Sequence, residues 1–264
     1  MTQKMKLIII TQEDSFAVPQ NIEKIIKLDF VTIQKVVNID SSHSLVNQKK
    51  LFIDGFGLLQ SAKMGVKVGL HKANDFLDGI SSYKTSLPSK SLKAVALKNK
   101  IDYQTITNPN DEKFLDELEV LKPDIIVSFS APLVFKNKLL SIPTLGCINL
   151  HCSFLPNFAG IMPSFWTLYK KQKSTGVTVH YMDSKIDNGK ILGQKEVLIE
   201  KDETIFSLIL KTKEIGGEVM CDVLREIHAG KMVPKDNNTE NGSYFSWPKV
   251  EDFKDFKKQG GRLI

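Results

Sequence analysis

The stretch Asn110-Asp-Glu-Lys-Phe-Leu-Asp-Glu-Leu-Glu-Val-Leu121, followed by Pro123 and then Asp124-Ile-Ile-Val-Ser-Phe129, decides the fold. Acidic residues in a first turn suit the positive end of a helix, so a helix opens at Asn110-Asp-Glu and runs to about Leu121. Pro123 ends it, because proline lacks an N–H and crowds the preceding turn. The run from Asp124 to Phe129 is rich enough in Ile and Val to be a strand buried on both faces, the situation of strands in parallel sheets.

The same alternation repeats on either side. Leu7-Ile-Ile-Ile-Thr11 reads as a buried strand that opens into a loop at Gln-Glu-Asp. Residues 19–27 read as helix, 30–37 as strand, and 46–76 as mostly helical with breaks at Gly55, Gly57 and Gly65. A helix over 89–98 leads into a strand over 102–106. Toward the carboxyl end, Gly146-Cys-Ile-Asn149-Leu-His151 is a strand, 163–171 a helix, and 175–181 and 190–198 two more strands. A long amphipathic helix spans 203–229, started by Asp202 and stopped by Gly230. Repetition of strand and helix predicts an α/β protein with a doubly wound, mostly parallel sheet. Residues 1–230 are expected to form the catalytic domain. Residues 231–264 form a small carboxy-terminal extension, a polar loop followed by the aromatic run Ser243-Tyr-Phe-Ser-Trp-Pro248 and a short helix carrying Phe253 and Phe256.

Composition narrows the function. A chain of 264 residues, 42% hydrophobic, can bury one sizeable core with an appendage. The amino-terminal apolar run is too short for a signal peptide or a bilayer span, so a cytoplasmic protein without a membrane partner is expected. Cys147, Cys152 and Cys221 have neither disulfide-framework nor metal-knuckle spacing, and buried free thiols are expected. Cys152 and His151 are neighbours on an extended segment and point to opposite faces, which argues against a Cys/His nucleophile pair. The net charge of +6, from 36 basic and 30 acidic residues, favours anionic partners but forms no arginine-rich tract.

Chemistry concentrates at Asn149-Leu-His151-Cys-Ser153-Phe-Leu155-Pro156 and at Lys185-Ile-Asp187-Asn-Gly189. Asn149 and His151 stand two apart on one strand and share a face, at the carboxyl edge where ligands collect in open α/β sheets. Together with Gly160, Pro163, Thr175-Gly-Val-Thr-Val-His180 and Ile191-Leu192, these residues resemble the 10-formyltetrahydrofolate-dependent formyltransferases. The resemblance covers roughly residues 120–230 and is weak before about residue 80.

That resemblance implies a Rossmann-like fold, a one-carbon transferase and 10-formyltetrahydrofolate as formyl donor, with no metal. It implies catalytic roles for three residues. Asn149 and His151 donate to the formyl oxygen as charge develops there, each such donor being worth about 3 to 4 kcal/mol. Asp187 orients His151 and accepts the amine proton. The pterin is expected against Pro132, Leu133, Val134 and Phe135 and against Asp183, Ser184, Lys185 and Ile186. Ser153 is read as holding the loop after His151, and His180 as a structural histidine without a nameable partner.

The acceptor is read from departures. Gln12-Glu-Asp14 stands where glycinamide ribonucleotide enzymes carry a glycine-rich phosphate loop, and its carboxylates repel phosphate. Asn157-Phe-Ala-Gly160 stands where methionyl-tRNA formyltransferases carry basic residues, and only a short tail follows Gly230. The favoured acceptor is therefore the amine of a nucleotide-linked amino sugar, with tRNA as the alternative and hydrolysis of the formyl folate as another. Trp166, Tyr244, Phe245 and Trp247 are candidates for stacking on a base or for a homodimer contact. Residues 46–106 are candidates for part of the acceptor site.

Overall fold

The computed structural model describes residues 4–40, 48–85 and 88–264, so residues 46 and 47 of the predicted helix fall outside the described residues. The first half runs β1 (Met5–Thr11), α1 (Val18–Ile26), β2 (Val31–Ile39), α2 (Gln48–Phe56), α3 (Leu58–Ile80), α4 (Leu92–Lys98), β3 (Asp102–Ile106) and α5 (Glu112–Leu121). Then come β4 (Ile125–Phe129), α6 (Asn137–Leu140), β5 (Cys147–His151), β6 (Ala159–Gly160), α7 (Pro163–Tyr169) and β7 (Ser174–Tyr181). The chain closes with β8 (Ile191–Leu198), α8 (Ile205–His228), β9 (Tyr244–Phe245) and α9 (Val250–Lys258).

The described residues form a seven-stranded sheet in the order β3-β2-β1-β4-β5-β7-β8. The first five are parallel, and β1 is where the order reverses, the switch point of doubly wound folds. The sheet is mostly parallel, as the sequence predicts; β7 and β8 return antiparallel at its edge.

Alternation along each strand feeds two cores. Leu7 and Ile9 of β1, with Ile125 and Val127 of β4, pack on one face under α1 and α8. Ile8, Ile10 and Ile126 pack on the other, under α5. On β5, Ile148 and Leu150 face the first core and Cys147 the second. By the period of two, Asn149 and His151 lie on the Cys147 side. β7 matches this, with Val177 and Val179 in the first core and Thr178 and His180 on the opposite face. A third cluster, Phe56, Phe165, Ile205, Phe253, Phe256 and Leu263, seats α9 between α2 and α7.

Several boundaries differ from expectation. Of the three glycines, only Gly57, with φ +83°, breaks a helix. Gly65 lies inside α3, and Gly55 lies inside α2 and marks close packing, since an added Cβ would sit 2.5 Å from Phe253 Cβ. The long helix is started by Thr204, not Asp202. The Thr204 hydroxyl accepts from the Ser207 amide while the Ser207 hydroxyl accepts from the Thr204 amide, a reciprocal cap that satisfies two orphan donors.

Candidate active site

Asn149 leaves β5 with both ends of its amide engaged. Its Oδ1 accepts from the Ser130 N–H at 3.2 Å, in the turn where Ser130 takes φ +63° as β4 ends. Its Nδ2 faces His180 Nε2 at 3.4 Å. The pairing register explains the contact, since Asn149 stands directly opposite His180 across β5 and β7. His180 Nδ1 lies 2.7 Å from the Tyr181 carbonyl, which can only accept, so Nδ1 carries hydrogen and Nε2 is left toward the site.

Asp187 completes the group. One carboxylate oxygen is 3.4 Å from His151 Nδ1 and the other 3.5 Å from His180 Nε2. His151 Nε2 lies 2.9 Å from the Phe158 carbonyl. Both nitrogens of that ring therefore face acceptors, and both are satisfied when each carries hydrogen. Asp187, His151 and Asn149 are buried. Burial alone would raise the Asp187 carboxyl. The neighbouring His151 charge, the hydrogen bond and charge of His180, and the Gly160 N–H at 2.8 Å outweigh it and hold the group down to about 2.

The backbone that presents Asp187 is unusual. It sits at φ +49°, in the left-handed region that Asp tolerates better than most residues. Its carbonyl accepts from Asn237 Nδ2 at 2.9 Å, and Thr239 donates to Asn188 Oδ1 at 3.2 Å. Both partners belong to the carboxy-terminal extension. That segment also fastens the loop after His151. Ser243 Oγ accepts from the Phe158 N–H at 2.9 Å, and β6 pairs with β9. Within the loop, Ser153 Oγ donates to the Asn157 carbonyl at 2.7 Å, the holding role read from sequence.

The remaining sequence candidates divide. Pro132, Leu133 and Val134 are exposed on the loop that follows β4. Asn110, which the sequence reading took only for a helix start, clamps that loop by donating to the Val134 carbonyl at 2.9 Å and accepting from the Lys136 N–H at 2.7 Å. Phe135 does not join them. It is 1% exposed, within the core cluster that includes Leu118 and Leu139, because the loop has already turned inward there. Asp183 accepts from the Lys185 N–H at 2.8 Å and from Asn188 Nδ2 at 2.7 Å, shaping the turn. Ser184, Lys185 and Ile186 lie exposed on it. Of the tail aromatics, Phe245 is engaged within the chain, stacking on Trp166 at 4.8 Å and on Phe158 at 5.5 Å, whereas Tyr244 is exposed.

His180 is the site residue that sequence reading missed. Only the antiparallel return of β7 reveals it, since that sets its side chain opposite Asn149. Cys152 is buried on the other side of the chain, near Thr212 and Lys213, and burial pushes its thiol up, away from thiolate character. All three cysteines are free and buried. Among the described residues no His/Cys/Asp/Glu cluster could hold a metal ion. In the loop after β1, Asp14 pairs with Lys213 and accepts from the Phe16 and Ala17 amides. Glu13 accepts from the Leu92 N–H at 3.2 Å and is pushed up to about 7, by desolvation first and then by Asp75 and Asp14.

A parallel 3-2-1-4-5 sheet that gathers an amide, two imidazoles and one carboxylate at and beside its last parallel strand is a Rossmann-like α/β fold with a polar cluster where ligands collect in such sheets. The family profile for formyl transferases matches residues 57–224, and the chain belongs to that family. It is 33% identical over 135 residues to the methionyl-tRNA formyltransferase of Caldanaerobacter subterraneus subsp. tengcongensis, covering 51% of this chain and 44% of that one. It is 39% identical over 155 residues to the bifunctional polymyxin resistance protein ArnA of Wigglesworthia glossinidia brevipalpis, covering 59% and 24%. The chain thus spans half or less of the length of these curated relatives. In fold it is similar to the N-formyltransferase of Helicobacter canadensis solved with folinic acid and dTDP-3-aminofucose, with a TM-score of 0.61, 21% identity, and 92% of this chain and 71% of that one covered.

Proposed function

We propose that the chain transfers a formyl group from 10-formyltetrahydrofolate to a primary amine, the amino group of a nucleotide-linked sugar. The observation that carries this reading is the Asp187 carboxylate held between His151 and His180, with the Asn149 amide beside it. The folate supplies the formyl carbon. Asn149 donates to the formyl oxygen, which gains negative charge as the amine adds, and His151 joins it by turning its Nε2–H from the Phe158 carbonyl toward that oxygen. Asp187, ionised throughout the ordinary pH range, holds the His151 ring and takes the proton that the amine sheds, directly or through water. His180 Nε2, on the neighbouring strand, donates to Asp187 and leaves the Asn149 Nδ2 free for the formyl oxygen. Leu133, Val134 and Ile186, apolar yet 42%, 47% and 51% exposed on the two loops flanking the site, suit the faces of a pterin.

The sugar-nucleotide acceptor is supported by the loop after β1. Asp14 is neutralised by Lys213, while Glu13, pushed up to about 7 by burial, keeps partial negative charge in the loop that stands where glycinamide ribonucleotide enzymes carry a phosphate loop. A tRNA acceptor has one observation in its favour, the identity to methionyl-tRNA formyltransferases.

The test is incubation of the full chain with 10-formyltetrahydrofolate and, separately, nucleotide amino sugars, glycinamide ribonucleotide and charged initiator tRNA, following folate absorbance. Turnover with an amino sugar is the expected result. Turnover only with tRNA would move the acceptor, formate release without any amine would make the chain a hydrolase, and no folate turnover under any condition would retract the reading.

A further inference from the structure

α3 is turned inside out. Its inner side is attached to the body largely by polar contacts: His71 Nδ1 lies 2.9 Å from the Ser15 carbonyl, Asn74 donates to the Pro88 carbonyl at 3.2 Å, and buried Asp78 pairs with Lys98 at 2.8 Å. Its outer side is apolar. Leu59, Val66, Leu70, Phe76, Leu77 and Ile80 are each between 54% and 73% exposed. At 3.6 residues per turn these six fall within an arc of about 120°, with the small Ala62, Gly69 and Ala73 along the middle. Six large apolar side chains, on the order of 100 Å² apiece, reach the upper end of the roughly 300–600 Å² of the largest patch on an ordinary monomer.

Charge decides what fits this face. The exposed Lys63 borders the arc on one side and the exposed Lys72 on the other, while Lys67 lies over the Phe206 ring. From Leu58 to Asn74 the helix carries no carboxylate. A second copy docked face to face would bring lysines toward lysines with nothing in that stretch to answer them. Anionic headgroups answer both. No described helix is long and apolar enough to cross a membrane, so α3 can lie only along the surface of a bilayer.

We propose that α3 is an interfacial helix that docks the protein on anionic phospholipid surfaces, its apolar arc in the acyl boundary and Lys63 and Lys72 among the headgroups. This goes beyond the formyl-transfer site and does not depend on it.

Flotation of the full chain with vesicles tests it, using equal parts phosphatidylcholine and phosphatidylglycerol against phosphatidylcholine alone. The wild type should float with the anionic vesicles and stay below with the neutral ones. The Leu59→Gln/Leu70→Gln/Phe76→Gln variant should lose flotation, and Lys63→Glu/Lys72→Glu should weaken binding roughly tenfold or more. Neither changes a side chain that attaches α3 to the body, and unchanged circular dichroism melts would establish that both fold. A wild type that ignores both vesicles, equal binding to neutral vesicles, or undiminished flotation of either variant would overturn the proposal. So would a concentration-dependent dimer in sedimentation, dissolved by the triple glutamine variant, without vesicle binding; that result would assign the face to a second copy.

Discussion

Asp187→Asn keeps the shape of the side chain and removes its charge, which separates the two things that carboxylate does. In the folded protein the group is held at about 2, against an ordinary value of 3.8. A depressed carboxylate contributes stability above its unfolded value and loses it as pH falls toward the folded one. The difference corresponds to about 2.5 kcal/mol at neutral pH, at about 1.4 kcal/mol per unit, and to roughly half that at pH 3. Urea unfolding should therefore show the variant about 2 kcal/mol less stable at pH 7, with the gap narrowing as the pH is lowered from 4 to 3. Turnover of 10-formyltetrahydrofolate should fall by about 100-fold or more, the usual range for loss of a positioned acid/base group. The fall should lie in kcat, because the amide still fills the space at the pterin loop. Equal stability at pH 7 would refute the electrostatic account of the site, and unchanged turnover would remove Asp187 from the chemistry.

Other perturbations probe the supports. Gly160→Ala adds a Cβ at 2.1 Å from the Phe245 carbonyl at a residue with φ +95°, so it should cost about 2 to 3 kcal/mol and lower the melting temperature by roughly 5 to 10 °C, read by calorimetry. Activity should fall with it, because the Gly160 N–H bonds Asp187. Phe253→Ala empties a buried position with ring centroids 5.0 Å from Phe56 and 4.7 Å from Phe165 and should cost about 3 to 5 kcal/mol in urea unfolding, with Phe253→Leu costing less. Lys213→Met leaves the Asp14 carboxylate without its cation and should destabilise by about 3 kcal/mol, part of which returns in Lys213→Met/Asp14→Asn. Equal stability of the single and double variants would show that the pair contributes nothing.

What sequence could show follows from whether a signal is local. The helix over residues 112–121 and the strands at 102–106 and 125–129 were legible because cap, proline and β-branched run occur within each segment. Asn149 and His151 were legible as a same-face pair because strand geometry alone puts them there. His180 was not, since its relevance depends on β7 running antiparallel to β5, which no local pattern encodes. The burial of the Phe135 ring escapes sequence reading for a similar reason. The loop after β4 turns inward between Val134 and Phe135, and only packing against the core decides on which side of that turn a residue falls. Gly55 and Gly65 read as helix breaks because glycine alone is the local signal, whereas one accommodates a neighbouring ring and the other lies in an exposed helix. Asp202 and Thr204 are both good caps, and the reciprocal bond with Ser207 selects the second.

The bond from Asn237 to the Asp187 carbonyl and the one from Phe158 to Ser243 give the protein an order in time. On the ribosome, the strands bearing Asn149, His151 and His180 emerge well before the residues that cinch the loops around them. The loops around Asn149, His151 and Asp187 can therefore be fastened only after residues 237–243 are made. A nascent chain stalled just past α8 would carry Asn149, His151, His180 and Asp187 and still lack the two bonds that tie their loops down.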